Sequence, residues 1–140
     1  MKRFVTLFLV LVCTVAILTG CGGEPAQPTQ TQQQTQVENV TFQISAISPT
    51  GATLIITDTN LEPYLYGEWY KIQKLTDGQW QDLPHVIDNA GFTMIGYLPD
   101  ENGQVKFSIN WEWLYGTLPA GTYRIFKEVN FQELSIEFEI

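Results

Sequence analysis

Apolar and polar side chains alternate with a period of two through most of the chain after residue 37. In residues 105–113, every odd position is apolar and every even position is polar. Such alternation is typical of a half-buried strand, because successive side chains point to opposite faces of a sheet. The same period recurs in residues 40–46, 52–56 and 134–140, and no extended window shows the periodicity of a helix. The pattern therefore predicts an all-β domain.

Turn-forming sequences separate the predicted strands. Asp77-Gly78, between a strand over residues 66–75 and one over 80–83, is a strong hairpin signal because both residues tolerate positive φ. Two further strands are predicted over residues 92–96 and 123–129. Other turn signals lie at residues 48–51, 58–60, 100–103 and 118–121. About seven short strands with regular turns in a single domain indicate an antiparallel β-sandwich.

Tyr123 follows the turn at residues 118–121 and opens a late strand. This position is typical of a tyrosine corner, in which the hydroxyl donates to the backbone a few residues upstream and fixes the crossover between sheets. A plain, partly buried tyrosine is the alternative. Trp111 and Trp113 lie on the apolar face of their predicted strand, so we expect both in the core.

Two stretches of the domain carry a family resemblance. Residues 66–75 read YGEWYKIQKL and are followed by DGQW at 77–80, and residues 111–129 read WEWLYGTLPAGTYRIFKEV. Both resemble a bacterial immunoglobulin-like domain family found in secreted proteins and lipoproteins of Gram-positive bacteria. The resemblance covers about residues 37–140 and implies an immunoglobulin-like sandwich without catalytic residues. Because only residues 130–133 remain for the last turn, we expect a short final edge strand.

A short apolar leader ends in Leu18-Thr19-Gly20-Cys21. It has a basic start at residues 2–3, and residues 4–18 carry no charge. These features are typical of a lipoprotein signal peptide that is removed as residues 1–20, leaving a diacylglycerol on the Cys21 sulfur. An ordinary secretory signal, with Cys21 incidental, is the alternative, and the leader is shorter than the ~20 residues of a membrane-spanning helix. We therefore expect a lipid anchor on the extracytoplasmic face of the cell membrane.

The segment between the leader and the domain, residues 21–36, is a Gln/Thr/Pro-rich run after the cysteine. It has no aromatic side chain, so it cannot bury enough apolar surface to offset chain entropy and is predicted to be a disordered linker. Cys13 lies in the leader, so the processed chain would keep one cysteine, which is acylated. No disulfide is then expected.

Acidic residues outnumber basic ones, 15 to 7, which gives a formal charge of −8. Two of the basic residues, Lys2 and Arg3, lie in the leader, so the rest of the chain is more acidic still. Phosphate binding needs clustered Lys and Arg side chains. The composition therefore argues against a nucleic-acid partner and against direct docking on anionic lipid headgroups.

Catalytic and metal-binding motifs are not recognisable. The single histidine, His85, lies in a loop without convergent ligands or a nucleophile to activate. Residues 100–103 and 58–60 could hold calcium through loop oxygens, but neither follows the calcium-loop pattern, and turn chemistry explains both. We expect no cofactor, no metal and no enzymatic activity.

Aromatic residues form the strongest candidate for a binding surface. Trp69 is out of phase with Tyr70 and Ile72, which places it on the surface, and the other candidates flank turns. Exposed aromatic side chains beside polar groups can stack on sugars or mark a protein interface. The predicted ligand surface consists of Trp69, Tyr64, Tyr66 and Tyr115.

The leading functional hypothesis is a membrane-anchored lipoprotein that presents a non-catalytic interaction domain to an unknown protein or glycan. A carbohydrate-binding module for wall or external glycan is the alternative, motivated by the turn-adjacent aromatic residues. A protease-inhibitor-like sandwich would need an exposed reactive loop, for which Pro84–Gly91 is the candidate.

Overall fold

The computed structural model describes residues 37–140. The predicted signal peptide, the lipidation site Cys21 and the predicted linker up to residue 36 lie outside the described residues. Within residues 37–140, no helix combines the length and the hydropathy needed to cross a bilayer.

Antiparallel strands make up most of the described chain. Their bounds are β1 Val40–Ser48, β2 Gly51–Asp58, β3 Tyr66–Gly67, β4 Lys71–Thr76, β5 Gln79–Asp82, β6 Gly96–Tyr97, β7 Gln104–Asn110, β8 Thr122–Val129 and β9 Gln132–Glu139, with one helical turn, α1 Glu112–Tyr115. The strands form a three-stranded sheet in the order β1-β2-β7, a four-stranded sheet in the order β5-β4-β8-β9, and a two-stranded ribbon of β3 and β6. The two larger sheets contain seven strands, which confirms the predicted immunoglobulin-like sandwich.

The hydrophobic core explains the alternation in the sequence. Every second side chain of β2 is buried, and Leu54 and Ile56 are fully inaccessible to solvent. Ile72 of β4 and Ile125 of β8 are equally inaccessible and belong to the same cluster. Burial of such a side chain contributes about 1.5–3 kcal/mol. This gain sets which face of each strand turns inward.

An aromatic stack closes one end of the sandwich. The Trp111 ring stacks on Phe138 at 5.2 Å, and Phe138 stacks on Tyr123 at 5.6 Å. Trp111 Nε1 donates to the Pro49 carbonyl at 3.0 Å. The Tyr123 hydroxyl donates to the Pro119 carbonyl at 2.6 Å, which is the hydrogen bond expected of a tyrosine corner.

The strand predicted over residues 105–113 ends earlier than its pattern suggests. β7 stops at Asn110, which pairs with the first residue of β2, Gly51, so no further partner residue is available in β2. Trp111 is fully buried as predicted, but Trp113 lies on the short helix α1 and is 40% exposed. The expectation that Trp113 belongs to the core is therefore wrong.

Two other predicted strands are also shorter in the structure. Residues 66–75 divide into β3 and β4, because Tyr66 pairs with Tyr97 in the ribbon while β4 pairs with β5 and β8. Residues 92–96 form no strand before Gly96. Phe92 packs edge-on against Tyr70 at 5.1 Å instead of alternating along a sheet.

The two best-defined hairpins differ in how well the sequence predicted them. Asp77 and Gly78 have φ values of 51° and 76° and connect β4 to β5, as predicted. The last hairpin uses only Asn130 and Phe131 as its turn, and β9 pairs with β8 along its whole eight-residue length. The expected short final strand is therefore wrong, because the turn needs two residues instead of four.

Candidate functional site

The four predicted surface aromatics have different environments. Tyr64 and Trp69 are half-buried and line one cleft. Tyr66 and Tyr115 are buried, so the prediction that they lie on the surface is wrong. The Tyr66 hydroxyl donates to Asp58 Oδ2 at 2.8 Å, and the Tyr115 hydroxyl accepts the Ile72 amide at 3.2 Å. Both tyrosines are next to turns in the sequence, but they are buried because their hydroxyls form hydrogen bonds with groups inside the domain.

The cleft lies at the end of the sandwich opposite the Trp111 stack. It has a volume of about 360 Å³ and is formed by the segment that leads into β3 and by the turn between β8 and β9. Its lining residues are Tyr64, Leu65, Gly67, Trp69, Glu128, Asn130 and Phe131. The lining therefore combines aromatic and aliphatic surface with one carboxylate and one amide.

A buried carboxylate fixes one wall of the cleft. Asp58, the last residue of β2, is 2% exposed. Its Oδ1 accepts the amide and the side-chain nitrogen of Asn60 at 2.9 and 2.8 Å, and its Oδ2 accepts the Tyr64 amide and the Tyr66 hydroxyl at 2.8 Å each. Each carboxylate oxygen thus accepts two hydrogen bonds, and together these bonds fix the segment between β2 and β3 against Asp58.

The same network determines the protonation of its members. Burial alone would raise the pKa of the Asp58 carboxyl, but the four hydrogen bonds outweigh it and hold that pKa below its usual value. Burial, reinforced by the bond to this carboxylate, raises the pKa of the Tyr66 hydroxyl. Asp58 is therefore ionised and Tyr66 neutral at physiological pH.

The opposite wall of the cleft is the hairpin tip, Asn130–Phe131. Val129 pairs with Gln132, so these two residues form a two-residue turn, and their φ values are 48° and 61°. Such a turn favours Asn followed by Gly, because both positions need positive φ. For Phe131 this conformation costs about 1–2 kcal/mol. Its side chain is nevertheless 94% exposed, so no packing within the domain compensates for the strain.

Leu65 extends the apolar wall beyond the cleft. Its side chain is 63% exposed and packs over Gly96, where a Cβ would overlap it. The glycine of β6 thus leaves room for Leu65 in this position. An exposed leucine and an exposed phenylalanine beside an aromatic cleft form the kind of surface that marks an interaction site.

Carboxylates surround the cleft. Glu128 lines it, and Glu62 lines a neighbouring depression that shares Tyr64. Glu68 accepts hydrogen bonds from the Thr93 hydroxyl at 2.5 Å and the Tyr97 hydroxyl at 2.7 Å. These bonds hold the pKa of the Glu68 carboxyl below its usual value, so it stays charged.

One lysine lies beneath the cleft and points inward. Lys127 is 1% exposed, its Nζ donates to the Gly67 carbonyl, and the ammonium lies 3.9 Å from the centre of the Phe107 ring. Burial lowers the pKa of this ammonium to about 8, with a smaller opposing effect from Glu68. Lys127 therefore fastens β3 to β8 but presents no charge to the solvent.

The loops that could have suggested chemistry have structural explanations. Asp100 accepts the amides of Asn102 and Gln104 at 2.9 Å each, which is turn chemistry, and Asp58 is saturated by protein donors. His85 is exposed and lies edge-on to Tyr115 at 5.2 Å. Within residues 37–140, no group of three or more His, Cys, Asp or Glu side chains is arranged to hold a metal.

The sequence reasoning missed several residues of this site. Phe131 and Leu65 were not singled out, and neither were the buried roles of Asp58 and Lys127. Asn130-Phe131 did carry a signal, because Asn in the first position of a two-residue turn is typical of a hairpin, whereas Phe in the second position is unusual. Lys127 is in phase with Tyr123, Ile125 and Val129 of the predicted strand, so the period of two already placed it on the inward face of β8.

Comparison with known proteins identifies one family. A family model described as a bacterial Ig-like domain matches residues 33–139. A comparison with curated proteins and one with solved structures each find no significant match.

Asp58→Asn should destabilise the domain by about 2–4 kcal/mol at pH 7, because the amide nitrogen cannot accept from the Tyr64 amide or the Tyr66 hydroxyl. Because the pKa of Asp58 is lower in the folded chain than its reference value of 3.8, the ionised carboxyl stabilises the fold fully above pH 3.8. This stabilisation is lost as the pH falls through the pKa of the folded chain. The difference in free energy of unfolding between the native chain and Asp58→Asn should therefore become smaller below pH 4. Urea denaturation followed by tryptophan fluorescence at pH 7 and in acid measures both effects.

The matched control for this prediction is Asp100→Asn, which alters an exposed carboxylate that also accepts two backbone amides. It should change stability far less than Asp58→Asn. Equal losses of stability in the two variants would show that the buried network around Asp58 contributes no more than the exposed turn at Asp100.

Lys127→Met should remove a stability increase on the alkaline side. The folded pKa of about 8 lies below the reference value of 10.5, so the unfolded chain binds more protons in this window, and stability should rise with pH. Between pH 8 and about 9.5 the gain should be about 1.5 kcal/mol, before the buried tyrosines begin to oppose it. Urea titrations should show the rise in the native chain and in Lys106→Met, and a flat profile in Lys127→Met. A rise that persists in Lys127→Met would assign the effect to another group.

Proposed function

Because the chain belongs to the bacterial Ig-like domain family, we propose that it is a lipid-anchored protein whose non-catalytic domain binds a partner on the outer face of the cell membrane. The family is typically one of interaction domains without catalysis. The observation that carries the interaction role is the cleft, where Trp69 and Tyr64 meet two exposed apolar residues at one end of a rigid sandwich. A preformed site of this kind binds without paying the entropy of ordering its own walls.

The anchor is proposed from the sequence. Leu18-Thr19-Gly20-Cys21 after a short apolar leader supports cleavage before Cys21 and acylation of its sulfur. Two acyl chains bury enough methylene groups for durable attachment, at about 0.8 kcal/mol per group. A retained cysteine with this role would attach the protein to the membrane through its lipid.

The point at which the chain enters the sandwich supports presentation at the membrane. Asn39 lies beside the end of β2, where its carbonyl accepts the Thr59 amide at 3.0 Å, and it borders the depression that shares Tyr64 with the cleft. The segment that leads back towards Cys21 therefore joins the domain at the cleft end. An anchor at Cys21 would keep the cleft among the components of the cell envelope.

Cys21→Ser should abolish lipid attachment. The native chain, expressed in a bacterium with an alkyne analogue of palmitate, should be labelled and should sediment with membranes, because the Cys21 sulfur accepts the acyl group. The variant should carry no label and should leave the membrane fraction. Cys13→Ser is the matched control and should keep both properties, since residue 13 lies in the predicted leader. An unlabelled native chain would contradict the proposed anchor.

A second candidate function is recognition of a glycan. It is favoured by Trp69 and Tyr64, whose rings could stack on sugar faces, beside the Asn130 amide and the Glu128 carboxylate, which could bind hydroxyl groups. Of the four aromatic residues predicted to bind a glycan, two, Trp69 and Tyr64, are thus available in the cleft.

Trp69→Ala should abolish glycan binding if this second function is correct, because the larger ring of the cleft would be lost. The native chain and the variant would be compared on an array of wall and capsular glycans, with tryptophan fluorescence titration of any hit. Trp113→Ala, which removes an exposed tryptophan outside the cleft, should leave binding unchanged. Failure of the native chain to bind any glycan on the array would eliminate this candidate.

A further inference from the structure

The hairpin tip presents a phenylalanine in a way that the fold itself does not require. Phe131 is almost completely exposed and adopts a positive φ that glycine would adopt more easily. Residues held in such conformations cluster at binding sites, where the strain is part of the function. Leu65 packs over Gly96 on the other wall but remains 63% exposed, so two apolar side chains that face solvent flank the cleft.

The charged side chains that line the cleft and the neighbouring depression are carboxylates, and Lys71, outside both linings, is already paired with Glu133 at 3.0 Å. Glu128 lines the cleft, Glu62 and Glu68 lie beside it, and none of the described lining residues is Lys or Arg. The nearby ammonium of Lys127 is buried and already donates to the Gly67 carbonyl. A cationic side chain that enters the cleft would gain Coulomb energy, whereas an anionic one would be repelled.

The aromatic floor has the same preference. Trp69, Tyr64 and Glu128 line the same cleft. The face of an aromatic ring attracts Lys and especially Arg side chains, and a neighbouring carboxylate adds a charge-assisted hydrogen bond. The fold already uses this contact elsewhere, because the Arg124 guanidinium lies 4.5 Å from the centre of the Trp80 ring.

We infer that the cleft and the hairpin tip bind a polypeptide segment in which a Lys or Arg side chain lies next to an apolar one. The basic side chain enters between Trp69 and Glu128, and the apolar side chain packs on Phe131 and Leu65. This inference rests on the proposed interaction role and states the chemistry of its partner. Exposed aromatic anchors of this kind dominate the energetics of protein interfaces.

The experiment uses the full chain, purified in detergent micelles, and a phage-displayed library of short random peptides. Enriched peptides are synthesised and titrated while tryptophan fluorescence is recorded. We expect the enriched peptides to carry Lys or Arg beside a large apolar residue. Their affinity should fall about tenfold or more with Phe131→Gly and should fall less steeply with salt in Glu128→Gln.

Phe131→Gly separates binding from folding. Glycine suits the second position of the turn, so this variant should melt a few degrees higher than the native chain while it binds less well. Val86→Gly, which removes an exposed apolar side chain beside Gly116 at the far end of the sandwich, is the matched control and should leave affinity unchanged.

Three results would overturn the inference. They are enrichment of peptides without basic residues, unchanged affinity in Phe131→Gly, and selection of no peptide while a glycan binds and is lost in Trp69→Ala. The last result would retain the interaction role and replace its partner class. Absence of both peptide and glycan binding would remove the interaction role as well. Because the measurement is made in micelles, its outcome is independent of the lipid-attachment experiment.

Discussion

The buried carboxylate of Asp58 is the interaction on which the site depends. It lies where the three-stranded sheet ends and the chain crosses towards the second sheet, and it accepts four hydrogen bonds from the segment that crosses. A buried charge is costly unless it is fully satisfied, so the carboxylate permits few conformations of this segment. The order of the cleft wall therefore follows from the ionised state of one side chain.

The two ends of the sandwich are built differently. At one end, Trp111, Phe138 and Tyr123 stack, and the corner hydrogen bond to the Pro119 carbonyl holds the crossover. At the other end, the interior contains the charged groups of Asp58 and Lys127 beside the buried Tyr66 ring, and Tyr64 and Trp69 line a cleft. A stable closed end allows the open end to expose apolar surface, because the core already provides the free energy of folding.

Three departures from the usual patterns of protein structure meet at the open end. Phe131 occupies a turn position that favours glycine, Lys127 is a buried ammonium, and Leu65, in the segment just before β3, is exposed. Natural proteins violate such rules chiefly where function requires it. The coincidence of these three features at one cleft distinguishes it from the scattered apolar residues that occur on any protein surface.

The sequence by itself determined the class of fold, because the period of two, the Asp77-Gly78 turn and the position of Tyr123 are local signals. They predict strands, a hairpin and a corner without knowledge of distant contacts. The tertiary structure decided which aromatic residues are accessible. Tyr66 is buried because its hydroxyl donates a hydrogen bond to Asp58, and Tyr115 is buried because its hydroxyl accepts one from the Ile72 amide. Trp113 is exposed because β7 ends where its partner strand β2 ends. These outcomes depend on residues far apart in the chain, so only the assembled sheets could bring Trp69 and Tyr64 together with Phe131 in one cleft.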